Sequence, residues 1–159
     1  MKRTFAISVP WNAPAPEDAE QGARQVSFDA ARNVLTLAAD PLGIVPLHYF
    51  SGKEAFVCSD DLDEIERLAG EPLEISPAAL RAYMEFQHVP YPYTIWKGVL
   101  RVPPGHALDA DLRTRTTTLR RTWIRRTEPP SDIAYPDACK RLREIMQGVV
   151  RRSMPANPE

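Results

Sequence analysis

The chain has 159 residues and a formal net charge of −1 at pH 7, a size that suits one domain with a core of its own. This near-neutral charge provides no general attraction to nucleic acid or to a membrane surface, so we expect neither as a partner. No apolar run approaches the ~18 residues that a bilayer-spanning helix needs. The two cysteines, Cys58 and Cys139, lie far apart and fit no metal or redox spacing, which is typical of a reduced, cytoplasmic protein.

Residues 1–24 are predicted to contain a strand and a proline-rich segment. Phe5 to Val9 predicts the strand, and the polar, proline-rich run from Pro10 to Gly22 predicts a linker. A linker does not explain Trp11, and we expect this residue to pack back onto a sheet.

The next part of the chain alternates apolar and polar residues in four short runs, which predicts four β-strands. The runs are 26–29, 34–37, 44–50 and 55–59. Asp40-Pro41-Leu42-Gly43 separates the second run from the third, since Pro41 fixes φ and Gly43 permits a left-handed backbone. We expect one antiparallel meander of four strands with this corner inside it.

The remaining elements are helices and short strands. Helices are predicted over 59–69, 76–88 and 136–152, and strands over 99–102, 107–109 and 114–123. Ser59 or Asp60 is the expected N-cap of the first helix, which Gly70 ends. Ser76 and Pro77 together are a strong start for the second helix.

Several motifs follow one another along the chain: LTLAADPLGIVPLHYF, FVCSDDLDEI, IWKGVLRVPPGH and then Trp123. In this order they resemble the class II glutamine amidotransferase domain of the asparagine synthetase-like family. The family pattern is close to L-x-L-A-R-D-x-x-G-x-x-P-L-Y-Y, then F-A-S-E, then G-I-x-x-L-P-P-G-H. The resemblance covers Gln25 to about Ser153. The motif residues it selects are Asp40, Pro41, Gly43, Pro46, Tyr49, Ser59, Pro104, Gly105 and His106.

The resemblance implies an α+β fold for residues 25–126, as part of an Ntn-type αββα sandwich with antiparallel sheets. Residues 127–159 are then a linker and a helix that lead toward a synthetase domain. In the family that domain opens on S-G-G-L-D-S and uses ATP and Mg²⁺. The motif does not occur in this sequence, so we expect no cofactor here and assign ATP and Mg²⁺ to a partner synthetase domain.

The resemblance weakens at the chemistry. The family hydrolyses glutamine with a cysteine that directly follows the initiator Met, because the thiol and the amine that serves as its base belong to one terminal residue. Position 2 is Lys2, the first cysteine is Cys58, and the family's N-G-E-x-Y-N and S-D-T-E-like segments have no match. We therefore expect no catalytic residue. Ala39 stands where the family usually has Arg, and His48 stands where it usually has the first Tyr. Ala39-Asp40-Pro41 is similar to the S-D-P-x-G variant of lasso-peptide cyclases and β-lactam synthetases, a branch that does not use glutamine.

Single residues also have simpler interpretations. Asp40 is expected to accept hydrogen bonds from the backbone of its own turn. Cys58 is expected to be a small core residue, although a reactive thiol is the alternative. His48, His88 and His106 show no ligand spacing, so we expect no metal site. We expect His106 to order the Pro-Pro-Gly turn by hydrogen bonding.

A basic run between positions 113 and 126 leaves two interpretations open. Its members are Arg113, Arg115, Arg120, Arg121, Arg125 and Arg126. Nucleic-acid binding is one interpretation, and a solvated strand face balanced by acidic residues elsewhere is the other. We favour the second.

The last predicted helix carries an apolar face formed by Leu142, Ile145, Met146 and Val149, each worth about 1.5–3 kcal/mol if covered. We expect it to bind a synthetase-domain protein in trans or a second copy of the chain. Two functions stay open. The chain is a non-catalytic portion or subunit of an ATP-dependent amide-forming enzyme, for asparagine or for a peptide or natural product, or it is a stand-alone interaction module.

Overall fold

The computed structural model describes residues 5–11, 26–125 and 132–154. The chain divides into two compact units, Met1–Ile124 and Arg125–Glu159. The first unit contains β1 (Ala6–Pro10), β2 (Val26–Asp29), β3 (Val34–Ala38), β4 (His48–Ser51), β5 (Ala55–Ser59), α1 (Leu62–Leu68), α2 (Pro77–Phe86), β6 (Val99–Arg101), β7 (His106–Asp111) and β8 (Thr116–Arg121). The second contains α3 (Tyr135–Ser153).

The strands of the first unit form two antiparallel sheets of four strands each. Sheet A has the order β1-β5-β4-β6, and sheet B has the order β2-β3-β7-β8. Helices and antiparallel sheets in one unit confirm the expected α+β class. The strand predicted near the N-terminus pairs with β5, where Val9 lies opposite Phe56, so it belongs to the same unit as the strands that follow it.

The predicted four-strand meander is wrong, because its two hairpins lie in different sheets. The β2–β3 hairpin belongs to sheet B, and the β4–β5 hairpin belongs to sheet A. Beyond its own hairpin, β3 pairs with β7, with Leu37 opposite Leu108, whereas β4 pairs with β6. The Asp40–Gly43 corner is therefore a crossover between sheets. Alternation along a run predicts a strand but does not specify its partners.

The larger core contains side chains from both sheets. Leu35 and Leu108 of sheet B are buried in one cluster with Phe56 of sheet A. Trp11 joins this cluster, and its ring and that of Phe56 form a T-shaped pair with a centroid distance of 5.9 Å. The indole Nε1–H donates to the Gly52 carbonyl at 2.9 Å. The expectation that Trp11 packs onto a sheet is confirmed.

A second core lies between α1 and the other face of sheet A. Ile65 of α1 is fully buried and clusters with Phe50, Val57 and Val99 of three strands. Side chains alternate between the faces of a strand. His48, two residues before Phe50, therefore shares the helix-covered face of the sheet.

The start of α1 differs from the prediction. Ser59 is still in β5, where its hydroxyl donates to the Phe5 carbonyl at 2.7 Å. Asp61 is the N-cap instead, since its carboxylate accepts a hydrogen bond from the Asp63 amide at 3.0 Å. Gly70, with φ of 70°, follows the end of the helix as predicted.

The start of α2 is confirmed, and its end comes earlier than predicted. Ser76 accepts a hydrogen bond from the Ala79 amide, and Pro77 is the first helical residue. The helix ends at Phe86 because Gln87 adopts a left-handed conformation with φ of 56°.

The hairpin of β7 and β8 has a shorter second strand than predicted. Asp111 accepts hydrogen bonds from the Arg113 and Thr114 amides, and Arg115 follows with φ of 59°. The turn therefore occupies residues that were assigned to the strand. All six residues of β8 are exposed, and within the described residues its one neighbouring strand is β7.

The second unit, in its described part, is α3 with a short flanking segment. The helix is one residue longer at each end than predicted. Leu142, Ile145 and Met146 of its apolar face are 58%, 54% and 59% exposed, and Val149 is also exposed. Neither this helix nor any other in the described ranges is long and apolar enough to cross a membrane. Residues 12–25 and 126–131, which hold most of the two predicted linkers, lie outside the described residues.

Candidate functional site

The Asp-Pro-Leu-Gly corner and the Pro-Pro-Gly-His turn form one hydrogen-bonded cluster. The Gly105 amide donates to the Asp40 carbonyl at 3.0 Å, and the Ala39 amide donates to the His106 carbonyl at 2.9 Å. Six of the selected motif residues therefore lie together. We call them the corner cluster: Asp40, Pro41, Gly43, Pro104, Gly105 and His106.

The Asp40 carboxylate is used within its own turn. It accepts hydrogen bonds from the Leu42 amide at 2.9 Å and the Val45 amide at 3.2 Å. Partial burial acts to raise the pKa of Asp40, but the hydrogen bonds from the backbone outweigh it and the pKa is lowered. The carboxylate is therefore ionised, and it stabilises the corner by accepting hydrogen bonds from the backbone of its own turn.

Gly43 lies against Pro104, at a point where the two motifs meet. Its φ is +66°, and a β-carbon placed on it would lie 2.8 Å from Cγ of Pro104. Both the backbone angle and the proline ring therefore require glycine here.

The Pro-Pro-Gly-His turn is fixed from two sides. His106 Nδ1–H donates to the Pro104 carbonyl at 2.9 Å, and the Thr122 and Trp123 amides both donate to the Gly105 carbonyl. Trp123 thereby reaches the corner and completes a shallow, mainly apolar groove. The groove is lined by Asp40, Pro41, Leu42, Ile44, Val45 and Trp123.

The other three motif residues lie outside the corner cluster. Tyr49 stacks on Phe56 at 6.1 Å in the core, where burial raises the pKa of its hydroxyl. The Ser59 hydroxyl joins the residue before β1 to the start of α1, because it donates to the Phe5 carbonyl and accepts from the Asp61 amide. Pro46 is exposed just before β4. Six of the nine motif residues therefore form the corner cluster, and the other three lie at separate positions in the first unit.

Cys58 lacks the features of a nucleophile. It is 0% exposed in the core, and burial raises the pKa of its thiol to about 12. A nucleophilic cysteine acts as a thiolate, which this environment disfavours. Among the described residues no three His, Cys, Asp or Glu side chains are grouped to hold a metal ion.

The structure reveals one polar pair that the sequence reasoning missed. His48 of β4 lies opposite Arg101 of β6 on the helix-covered face of sheet A. Burial of the imidazole, together with the charge of Arg101, lowers the pKa of His48 to about 4, against weaker opposing effects from the Ser59 backbone and Asp61. Neither Nδ1 of His48 nor Nε of Arg101 has a hydrogen-bond partner in the described structure, although both are buried.

We expect His48 to make the protein less stable in mild acid. Its pKa in the folded state is below the unfolded value of about 6.5, so its contribution is complete above pH 6.5 and is lost as the pH falls toward 4. Urea unfolding of the wild type and of His48→Gln, measured from pH 4 to 7.5, checks this. The variant should show the weaker decline over that interval; parallel curves would contradict the assignment.

We expect Asp40→Asn to lower the melting temperature at pH 7, because the neutral amide replaces an ionised acceptor of two backbone hydrogen bonds. The lowered pKa of Asp40 stabilises the folded state above the unfolded pKa, and this contribution is lost as the pH falls through the folded pKa. The difference in melting temperature between wild type and variant should therefore shrink toward pH 2.5. A difference that is constant with pH would show that the charge has no role.

Comparison with known proteins supports the resemblance seen in the motifs. Residues 24–123 match a family described as "Glutamine amidotransferase domain", a stretch that includes the corner cluster. The chain is also 37% identical over 73 residues to "Asparagine synthetase [glutamine-hydrolyzing] 1" of Bacillus subtilis (strain 168). That similarity covers 46% of this chain and 11% of the relative.

Proposed function

The chain belongs to the glutamine amidotransferase domain family, and from this we propose that it is a non-catalytic portion or subunit of an asparagine synthetase-like, ATP-dependent amide-forming enzyme. In this role the two sheets are a scaffold that shapes the acceptor side of a synthetase domain. The observation that carries the proposal is that Cys58 is buried and its thiol is difficult to ionise. The one thiol in residues 5–11 and 26–125 is fully buried with a raised pKa.

Two further observations support the absence of a glutaminase site in the described unit. Asp40 is engaged by the amides of its own turn, so it is not available as a base. Ala39, where the family has Arg, is buried and uses its amide to hold the Pro-Pro-Gly-His turn. The residues that mark the family here therefore shape the backbone.

The test is glutaminase activity of the purified full chain. We expect glutamate release from glutamine to match that of the Cys58→Ser variant and of a protein-free control. In parallel, iodoacetamide should label exposed Cys139 and not Cys58 in the folded chain, and both cysteines in urea. Glutamate production that Cys58→Ser abolishes would overturn the proposal.

We assign ATP and Mg²⁺ to a synthetase-domain protein bound in trans, with the apolar face of α3 as its interface; self-association is the alternative. Leu142, Ile145 and Met146 on this face are each more than half exposed, which is typical of an interface. Coexpression with the synthetase, followed by an assay of ATP conversion to AMP with aspartate and other acids, tests the pair. Leu142→Asp should weaken the complex, and Lys140→Asp should not.

The finer classification is also a proposal. Two stacked sheets with α1 on sheet A support a partial Ntn-type αββα sandwich over residues 25–126, followed by a linker and helix over 127–159. The Ala39-Asp40-Pro41 sequence supports a decayed branch similar to lasso-peptide cyclases and β-lactam synthetases, working in the cytoplasm. Asparagine synthesis and ligation of a peptide or natural product are its two candidate reactions.

The second candidate function is a stand-alone interaction module. The same exposed face of α3 favours it, because a docking surface needs no synthetase. The two candidates differ in gene context. An open reading frame with S-G-G-L-D-S immediately downstream supports the enzyme, and its absence supports the module.

A further inference from the structure

A cavity of about 440 Å³ opens on the helix-covered side of sheet A, between the helices and β6. Its volume falls within the range of small-molecule sites, ~300–1,000 Å³. Most of its lining is apolar, from both helices and from the loop before β6. The lining residues are Leu62, Leu80, Tyr83, His88, Val89, Thr94, Ile95 and Arg101.

Arg101 is the cation in this lining with a fixed position and, among the described side chains, no acidic partner. Its guanidinium lies over the ring of Tyr91, with Cζ 4.9 Å from the ring centre, which holds the group in place. The ion pairs of the described residues join other side chains. A half-buried guanidinium without a carboxylate is therefore available to an anion from outside the chain.

The hydrogen bonding of Arg101 is incomplete. Its Nε is buried and has no acceptor in the part of the chain that the structure describes, and leaving a buried donor unpaired is unfavourable. The facing residue on β4, His48, also has an unpaired buried atom, Nδ1. Of these two residues, Arg101 lines the cavity, and His48 lies beside it on the neighbouring strand. Two unsatisfied nitrogens on paired residues are unusual, because buried polar atoms normally have partners.

We propose that this cavity binds a monocarboxylate with an aromatic or similarly sized apolar body. The carboxylate accepts hydrogen bonds from Arg101, whose planar fork matches a carboxylate better than a point charge does. The apolar body lies against Leu62, Leu80 and Tyr83.

This site is independent of the proposed function. The corner cluster is built from the crossover after β3 and the turn before β7, whereas the cavity is built from α1, α2, β6 and the loop between the last two. A failed glutaminase test would not affect it, and a failed ligand test would leave the corner and the family unchanged.

The test uses 3-phenylpropionate and its neutral counterpart, 3-phenylpropionamide, titrated into the full chain by NMR. We expect saturable shifts of amides next to Tyr83, Thr94 and Arg101 with the acid. The amide should bind about 10- to 100-fold more weakly, the equivalent of one hydrogen bond to a charged group. Absence of saturable binding at millimolar acid, or equal binding of acid and amide, would overturn the proposal.

Three variants separate the site from general electrostatics. Arg101→Gln should weaken binding of the acid about 10- to 100-fold. Leu80→Trp fills the cavity from a half-exposed position and should abolish binding while the chain stays folded by circular dichroism. Arg113→Gln removes an exposed arginine from the β7–β8 turn and should leave binding unchanged. Binding that persists in Leu80→Trp would place the probe elsewhere and refute the site.

Discussion

Replacing Phe56 by alanine is expected to lower the free energy of unfolding by about 3–5 kcal/mol, the usual cost of truncating a buried aromatic. Phe56 is fully buried, and its ring contacts both Trp11 and Tyr49. The substitution therefore opens a cavity in the core and removes the residue against which β1 and β4 both pack. Urea unfolding followed by tryptophan fluorescence and circular dichroism measures the loss.

The matched control is Phe86→Ala. Phe86 is 54% exposed at the end of α2, so the same truncation there should cost less than about 1 kcal/mol. If the two variants lost similar stability, the core would not be centred on Phe56.

The second large effect is expected at the crossover. Gly43→Ala should lower the free energy of unfolding by about 2–4 kcal/mol. Of this, about 1–2 kcal/mol comes from a left-handed backbone with a β-carbon, and the rest from overpacking. The new β-carbon would lie 2.8 Å from the Pro104 ring, which the turn holds against Asp40. Thermal and urea unfolding at pH 7 provide the measurement.

Gly70→Ala separates the two contributions. Gly70 has a similar φ of +70°, but a β-carbon there would meet nothing within 4 Å. It should therefore cost only the backbone part, about 1–2 kcal/mol. Equal losses for the two glycine variants would contradict the packing role of Pro104.

Features that depend on neighbouring residues were predictable from the sequence. Ser76 and Pro77 start α2, and Gly70 follows the end of α1, because caps and breakers act through the backbone within a few residues. The N-cap of α1 was misplaced by one or two positions. Three consecutive residues, Ser59, Asp60 and Asp61, all have capping side chains, and the pairing of Ser59 in β5 decides among them.

Features that depend on distant pairing were not predictable in the same way. Nothing local shows that β3 pairs with β7 rather than continuing toward β4. The corner cluster was found as two separate motifs, but the hydrogen bond from Gly105 to Asp40 that joins them is seen only in the fold. His48 follows the alternation of buried residues along β4, and Arg101 lies two residues from buried Val99 on β6. The sequence would have predicted that the two side chains share a face of the sheet only if the pairing of β4 with β6 had been known.

The exposed outer edge of β8 has a consequence for how the protein behaves in solution. Two copies that pair antiparallel along this strand would bring Arg121 of one chain close to Arg115, just before β8, of the other. We expect the repulsion between these charges to disfavour such pairing. Salt weakens such repulsion, since charges are screened beyond ~10 Å at 0.1 M ionic strength and ~3 Å at 1 M. Concentrated samples should therefore remain clear in dilute buffer and turn cloudy when sodium chloride is added.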